Sequence, residues 1–344
     1  MRRRTIRGVL LAAALAVGGT AAVIVGPTTA HADTYPATTF LLHHANWPAH
    51  NACLEARNDG LVTGGTCAPA GTIARQLINV VRYADSDYVY LVSAATGKCI
   101  FPESYGTASG TPLVQIGCGN ASAKHWKMQR YPYPADNRTD DYRVNFVNRK
   151  SGQCLWLEDE TSAARLGSCT EFSLLPTGFN YTFRPLSSAS CLDVDTYPNG
   201  GLQNGARIQQ WQCLGAGQSN QLWRIEIAAV PRYDDHLYDP MKVRLHPKHN
   251  PSACLSVDRS RADHRPYQYA CGTDPQAVLW ELFPVDFSPG NLAFKIRSFS
   301  KINNIWMCLN VTNGSLADGT TVALARCDAA FQDSQVWRLI GVAA

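Results

Sequence analysis

The sequence predicts an all-β protein made of six related units, and three observations carry that prediction. Short runs such as Tyr88–Ser93 (YVYLVS), Lys242–Leu245 (KVRL) and Val336–Val342 (VWRLIGV) alternate or stay apolar over four to eight residues between turn signals. No segment after residue 32 sustains a helical period with caps. The twelve cysteines fall into pairs of similar spacing, and each pair opens on a similar tetrapeptide. Short strands at regular intervals argue for a sandwich, barrel or propeller.

The cysteines group as Cys53 with Cys67, Cys99 with Cys118, Cys154 with Cys169, Cys191 with Cys213, Cys254 with Cys271 and Cys308 with Cys327. An even count in an exported chain points to disulfides, although sequence alone does not fix connectivity. No CxxC occurs, so zinc has no support and no metal is expected. Each bridge closes a loop of some 15–23 residues, which contributes about 3 kcal/mol in the chain-entropy view. The first cysteines introduce CLEA, CIFP, CLWL, CLDV, CLSV and CLNV. Second cysteines close strands such as RIQQWQC and VALARC, and Trp126, Trp223, Trp280 and Trp337 follow eight to ten residues later. First cysteines recur every 37 to 63 residues, an irregular internal period.

Six repeats divide as three and three. Pro176-Thr177-Gly178 is the natural break, giving 33–176 and 177–344. The stretch from Ile227 to Ala253 reads as an insertion between repeats four and five. Residues 1–32 read as a signal peptide: Arg2, Arg3, Arg4 and Arg7, an apolar run from Val9 to Val25, then Ala30-His31-Ala32 as a cleavage site. The expectation is a secreted protein without membrane insertion. Losing that segment takes four arginines and no acid from 31 basic and 27 acidic residues. A near-neutral remainder has no field for nucleic acid or an anionic membrane.

Cys191 to Trp223 is the richest stretch. If Cys191 lies opposite Cys213 in a hairpin, Asp193 faces Trp211 and Asp195 faces Gln209, all on one side. Asn220 and Gln221 arrive on the loop that follows. A carboxylate, an indole and several amides on one patch have the chemistry of a sugar site.

At this point the sequence resembles the ricin B-type lectins, the carbohydrate-binding β-trefoil family. The match rests on Cys191-Leu192-Asp193-Val194, Gln209-Gln210-Trp211-Gln212-Cys213 and Asn220-Gln221-Leu222-Trp223. Gln221-Leu222-Trp223 is the family's Q-x-W mark, repeated as Gln335-Val336-Trp337. The resemblance implies two tandem β-trefoils, the N-terminal one degenerate, with the Q-x-W tryptophans in the core. It assigns sugar contact to Asp193, Gln209, Trp211, Asn220 and Gln221, and points to galactose-type or related sugars, or xylan-type chains. Trp211 offers an aromatic face to the C–H side of a sugar ring. Asp193 accepts from two adjacent hydroxyls, and such charge-assisted bonds are the strong ones.

The same register applied to the other repeats leaves five incomplete. Glu55 faces Gly65, Phe101 faces Ile116, Trp156 faces Gly167 with Glu158 against Arg165, and Asn310 faces Ala325. Repeat five sets Ser256 against Tyr269 and Asp258 against Tyr267, with Ala277 and Val278 in place of the amides. Asp258, Tyr267 and Tyr269 are thus candidates for an altered, weak second site.

Catalytic signatures are missing. Neither HExxH nor GxSxG occurs, and no carboxylate pair of the glycosidase kind is evident. His246-Pro-Lys-His249 reads as a turn rather than a ligand pair. No catalytic residue and no cofactor are expected. The expectation is a lectin without catalysis, with carbohydrate as partner. The rival is a protein-interaction or inhibitor module using the N-terminal trefoil, whose cysteines remain while its ligand residues are gone.

Overall fold

A computed structural model describes residues 38–44, 52–68, 74–130, 143–176, 180–229, 241–257, 265–288, 291–327 and 332–342, less a few isolated positions, together with Arg232–Asp234 and Leu237–Asp239. The expected signal peptide, the break at Thr177-Gly178 and the candidate Asp258 lie outside the described residues.

The strands close into two six-membered rings. In the first, Thr38–His44, Leu77–Arg82, Tyr88–Ser93, Trp126–Arg130, Arg143–Asn148 and Phe172–Pro176 pair antiparallel in that order, and the last returns to the first. In the second, Asn180–Pro185, Trp223–Ala229, Lys242–Pro247, Trp280–Ser288, Asn291–Ser298 and Val336–Val342 do the same. Closure removes exposed strand edges. Three hairpins cap each ring: Ala52–Thr66, Cys99–Ile116 and Cys154–Gly167 on the first, Cys191–Trp211, Ala253–Ala270 and Met307–Arg326 on the second. These are two β-trefoils in tandem. The stretch from Ile227 to Ala253 is not all insertion, because Lys242–Pro247 within it is a ring strand paired on both sides; the part ahead of that strand carries a small ribbon, Arg232–Asp234 against Leu237–Asp239.

Strand alternation sets the core. In Val336–Val342, Trp337 and Leu339 are buried while Arg338 and Ile340 are half-buried. Trp126, Trp223, Trp280 and Trp337 are fully buried, as expected. Each indole Nε1 donates to the carbonyl of the residue just after its repeat's first cysteine: Ile100 (2.9 Å), Leu192 (3.0 Å), Leu255 (2.8 Å) and Leu309 (3.0 Å). The side chain therefore ties ring strand to hairpin while satisfying its own polar atom. A truncation to alanine here costs about 3–5 kcal/mol.

All six cysteine pairs are disulfide-bonded as grouped: Cys53–Cys67, Cys99–Cys118, Cys154–Cys169, Cys191–Cys213, Cys254–Cys271 and Cys308–Cys327. Their register differs from expectation, because the bonded cysteines are not cross-strand partners. Cys191 lies opposite Trp211, and Asp193 opposite Gln209. The other first cysteines behave alike: Cys53 faces Gly65, Cys99 faces Ile116, Cys154 faces Gly167, Cys254 faces Tyr269 and Cys308 faces Ala325. The two-residue shift runs on along each hairpin. Glu55 faces Thr63, Phe101 faces Val114, Trp156 faces Arg165, Ser256 faces Tyr267 and Asn310 faces Ala323.

The physical reason lies just past the strand. Cys67, Cys118, Cys169, Cys213, Cys271 and Cys327 all stand beyond the last paired residue of their hairpins. The chain bends back there and brings each second cysteine onto the first, with Cα of Cys213 at 5.1 Å from that of Cys191.

A side chain holds that bend. Gln221 donates from Nε2 to Gln212 O (3.0 Å) and accepts from Leu214 N (3.0 Å), gripping both neighbours of Cys213. Gln76 does the same around Cys67, with Thr66 O at 2.8 Å and Ala68 N at 2.9 Å. It marks a repeat-one Q-x-x motif, Gln76-Leu77-Ile78, that the missing tryptophan hides in sequence. Gln335 donates to Arg326 O (3.0 Å), beside Cys327. In repeat two Lys124 Nζ replaces the amide, donating to Gly117 O (2.6 Å) beside Cys118.

Candidate functional site

A two-residue shift leaves every side chain on its expected face, because the period of a strand is two. The outer face of the repeat-four hairpin therefore still gathers Asp193, Asp195, Gln209 and Trp211, while Leu192, Val194, Ile208 and Gln210 point inward and are buried. Asp193 is only 4% exposed. Its Oδ1 accepts from Gln209 Nε2 (3.0 Å), and its Oδ2 from Asn220 Nδ2 (2.8 Å). Asn220 also donates to Val194 O (3.0 Å), which pins the turn Ser219–Gln221 against the hairpin.

Burial raises the Asp193 pKa from its ordinary value to about 6, against the pull of the amides around it. A carboxylate oxygen has two lone pairs, so each retains capacity for a ligand hydroxyl. In these dry surroundings such bonds are strong. Gln209 Oε1 accepts from Arg207 Nη2 (2.8 Å), and the same nitrogen pairs with Asp195 Oδ2 (3.0 Å). Amide and acid are thereby oriented by one chain of hydrogen bonds.

Trp211 is 38% exposed at the end of its strand. Repeat six supports it, a contribution the sequence did not suggest. Asp318 Oδ1 accepts from Gln212 N (2.6 Å), and Gly319 N donates to Gln210 O (2.9 Å). A Cβ on Gly319 would lie 3.5 Å from Trp211 Cζ3, and its φ of +75° suits glycine. Asp-Gly between strands was the available turn signal. Gln221 is fully buried with both ends of its amide engaged by main chain. Its side chain also hydrogen-bonds Asp193, so the clamp on the bend stands directly behind the acid.

The remaining repeats lack the set. In repeat one, Glu55 carries an ion pair to Arg75 Nε (2.7 Å) and a hydrogen bond from Gln76 (3.2 Å), below a cleft of about 440 Å³ bordered by Gly64 and Gly65. In repeat three, Trp156 lies over Gly167, where a Cβ would come within 2.9 Å of its Cε3. Arg165 stacks on Trp156 at 4.7 Å and reaches Glu158 at 3.4 Å. That repeat fills its own recess. In repeat five Tyr269, opposite Cys254, takes the position of Trp211 and is 39% exposed, but Ser256 stands in place of the acid.

Among the described residues, the grouping with metal-ligand spacing is His246 with Cys254 and Cys271. Both sulfurs are joined in a disulfide and offer no thiolate. His246 closes a strand rather than a turn, with Glu226 Oε2 at 2.9 Å and Pro251 O at 3.1 Å. His249 contacts Gly201 O at 3.1 Å.

Residues 75–170 match the family model described as ricin-type β-trefoil lectin domain-like. That match lies within the N-terminal trefoil, outside the Cys191–Trp223 motifs that carry the resemblance in sequence. Similar solved structures include a designed 3-fold symmetric protein, ThreeFoil, at 25% identity, covering 47% of this chain and 99% of that one with a TM-score of 0.37. The Rhizoctonia solani agglutinin is 20% identical over 48% of this chain and 96% of its own, with a TM-score of 0.36. The C-half of the earthworm R-type lectin, solved in complex with GalNAc, is 14% identical over 48% of this chain and 99% of its own, with a TM-score of 0.32. No curated protein matches the chain.

Proposed function

We propose that the protein is an exported lectin without catalysis, with its sugar site on repeat four of the C-terminal trefoil, and that 33–176 and 177–344 are its two domains. The carrying observation is one outward patch where a buried carboxylate, two amides and an exposed indole meet. Asp193 takes the hydroxyls, Gln209 and Asn220 hold it and share them, and Trp211 stacks on the ring. Galactose-type or related neutral sugars fit this set: of its two acids Asp195 is paired with Arg207 at 3.0 Å, which leaves Asp193 as the one acid without a cation. Gln221, buried and engaged with main chain, stays in the set as the amide that backs Asp193.

A shallow site of this kind binds weakly, so useful strength comes from polyvalent ligands. The test is a glycan array read with wild type and Asp193→Ala. Wild type is expected to bind a subset of galactose-containing or xylan-type glycans, and the variant none. Equal signals, or a blank array for wild type, would overturn the reading. The second reading, protein recognition by the N-terminal trefoil, draws on the repeat-one cleft over Glu55 and Arg75.

A further inference from the structure

The outer face of repeat four does not stop at Asp193. Along the hairpin, three cross-strand rows share that face: Cys191 with Trp211, Asp193 with Gln209, and Asp195 with Arg207, where Asp195 N donates to Arg207 O at 2.8 Å. Successive rows are about 7 Å apart, so Trp211 and Arg207 are separated by about 13 Å along the strand. One sugar ring stacked on Trp211 and held by Asp193 does not span that length.

The far row is furnished for a ligand. Strand Ala206–Trp211 pairs along its other edge with Pro266–Ala270, setting Arg207 opposite Tyr267 and Ala206 opposite Gln268. Ala206 and Gln268 are buried beneath, so Tyr267 shares the outward side with Arg207. From the other direction, Tyr197 N donates to Asp195 Oδ1 (3.1 Å), and Tyr197 is 86% exposed. The hydrogen bonds of Arg207 to Asp195 and Gln209 both use Nη2. Nε and Nη1 remain as donors for hydroxyls. Aromatic, acid with amides, cation with acid, then tyrosines: polar groups for hydroxyls lie between stacking surfaces at the two ends, a layout that suits a chain of sugar rings.

We infer that this strip is one extended site, taking a linear oligosaccharide that runs from Trp211 past Asp193 and Arg207 to Tyr197 and Tyr267. The inference rests on the lectin reading and names its ligand class: a chain of neutral sugars rather than a lone terminal residue. It also redraws repeat five. Tyr267 serves the far end of the repeat-four site, and only Tyr269 occupies a platform position of its own.

The test is titration calorimetry on the whole protein with two length series, xylose to xylotetraose and galactose to β-1,4-galactotetraose. In at least one series the tetrasaccharide is expected to bind tenfold or more tightly than the monosaccharide. Tyr197→Ala, at a side chain too exposed to matter for folding, and Tyr267→Ala are each expected to remove most of that gain. An affinity independent of length, or a gain that survives both substitutions, overturns the extension while leaving the single-ring site in place. No binding in either series together with a blank glycan array removes the site and the extension alike.

Discussion

In repeat four the outward acid, Asp193, is held by neutral amides, Gln209 at 3.0 Å and Asn220 at 2.8 Å, with Gln221 beside them. In repeat one the acid at the corresponding position, Glu55, is held by the guanidinium of Arg75 at 2.7 Å. Hairpin, disulfide and glutamine clamp are common to both. Amides orient a carboxylate without neutralising it, so its charge is left for a ligand. A guanidinium satisfies the charge internally. Opposite the first cysteine, Trp211 gives repeat four a platform where repeat one has Gly65. The scaffold is written in both hairpins, whereas the proposed ligand set is complete in one.

The sharpest way to break this comparison is to remove each acid. Asp193→Ala loses hydrogen bonds to a charged group, each contributing about 1.5–3 kcal/mol, and binding is expected to fall by about a hundredfold or more. Glu55→Ala is expected to leave sugar affinity unchanged, and parallel calorimetric titrations read both. Next comes an attempt to restore a platform. Gly65→Trp drives its Cβ into the Glu55 carboxylate, so it is expected to lower stability by about 1–3 kcal/mol in denaturant unfolding and to gain no sugar binding.

Trp211→Ala is smaller in effect. Stacking contributes about 0.5–1.5 kcal/mol beyond area, so affinity drops roughly tenfold while Tm holds, since the ring is largely outside the core. Smallest is pH. Asp193 in the folded protein titrates at about 6, above its ordinary value of 3.8. In the proposed site sugar binding needs the carboxylate, so affinity is expected to fall several-fold as the pH drops from about 7 to about 5.5. The stability contribution has the opposite sign: a raised acid favours the folded state while protonated, and that support is lost as pH rises from about 4 through about 6.

Much of this was legible in the chain. The cysteine spacing pointed to the six bridges, and the resemblance to the Q-x-W family placed Trp223 and Trp337 in the core. Face membership of Asp193 and Trp211 survives the change of register because the shift is even. The register itself was not legible. It depends on a bend beyond the ladder that Gln221 clamps, and a side chain gripping main chain on both sides of a cysteine leaves no periodic trace. The contributions of Asp318 and Gly319 were equally hidden, since they come from a hairpin about a hundred residues away and depend on how three repeats close. Gln76 escapes notice because its motif ends in Ile78 instead of tryptophan.

The most direct test of the central claim is the stoichiometry of oligosaccharide binding by calorimetry on wild type, Asp193→Ala and Glu55→Ala. One site per chain in wild type and in Glu55→Ala, and none in Asp193→Ala, is the predicted result. Undiminished binding by Asp193→Ala would contradict it.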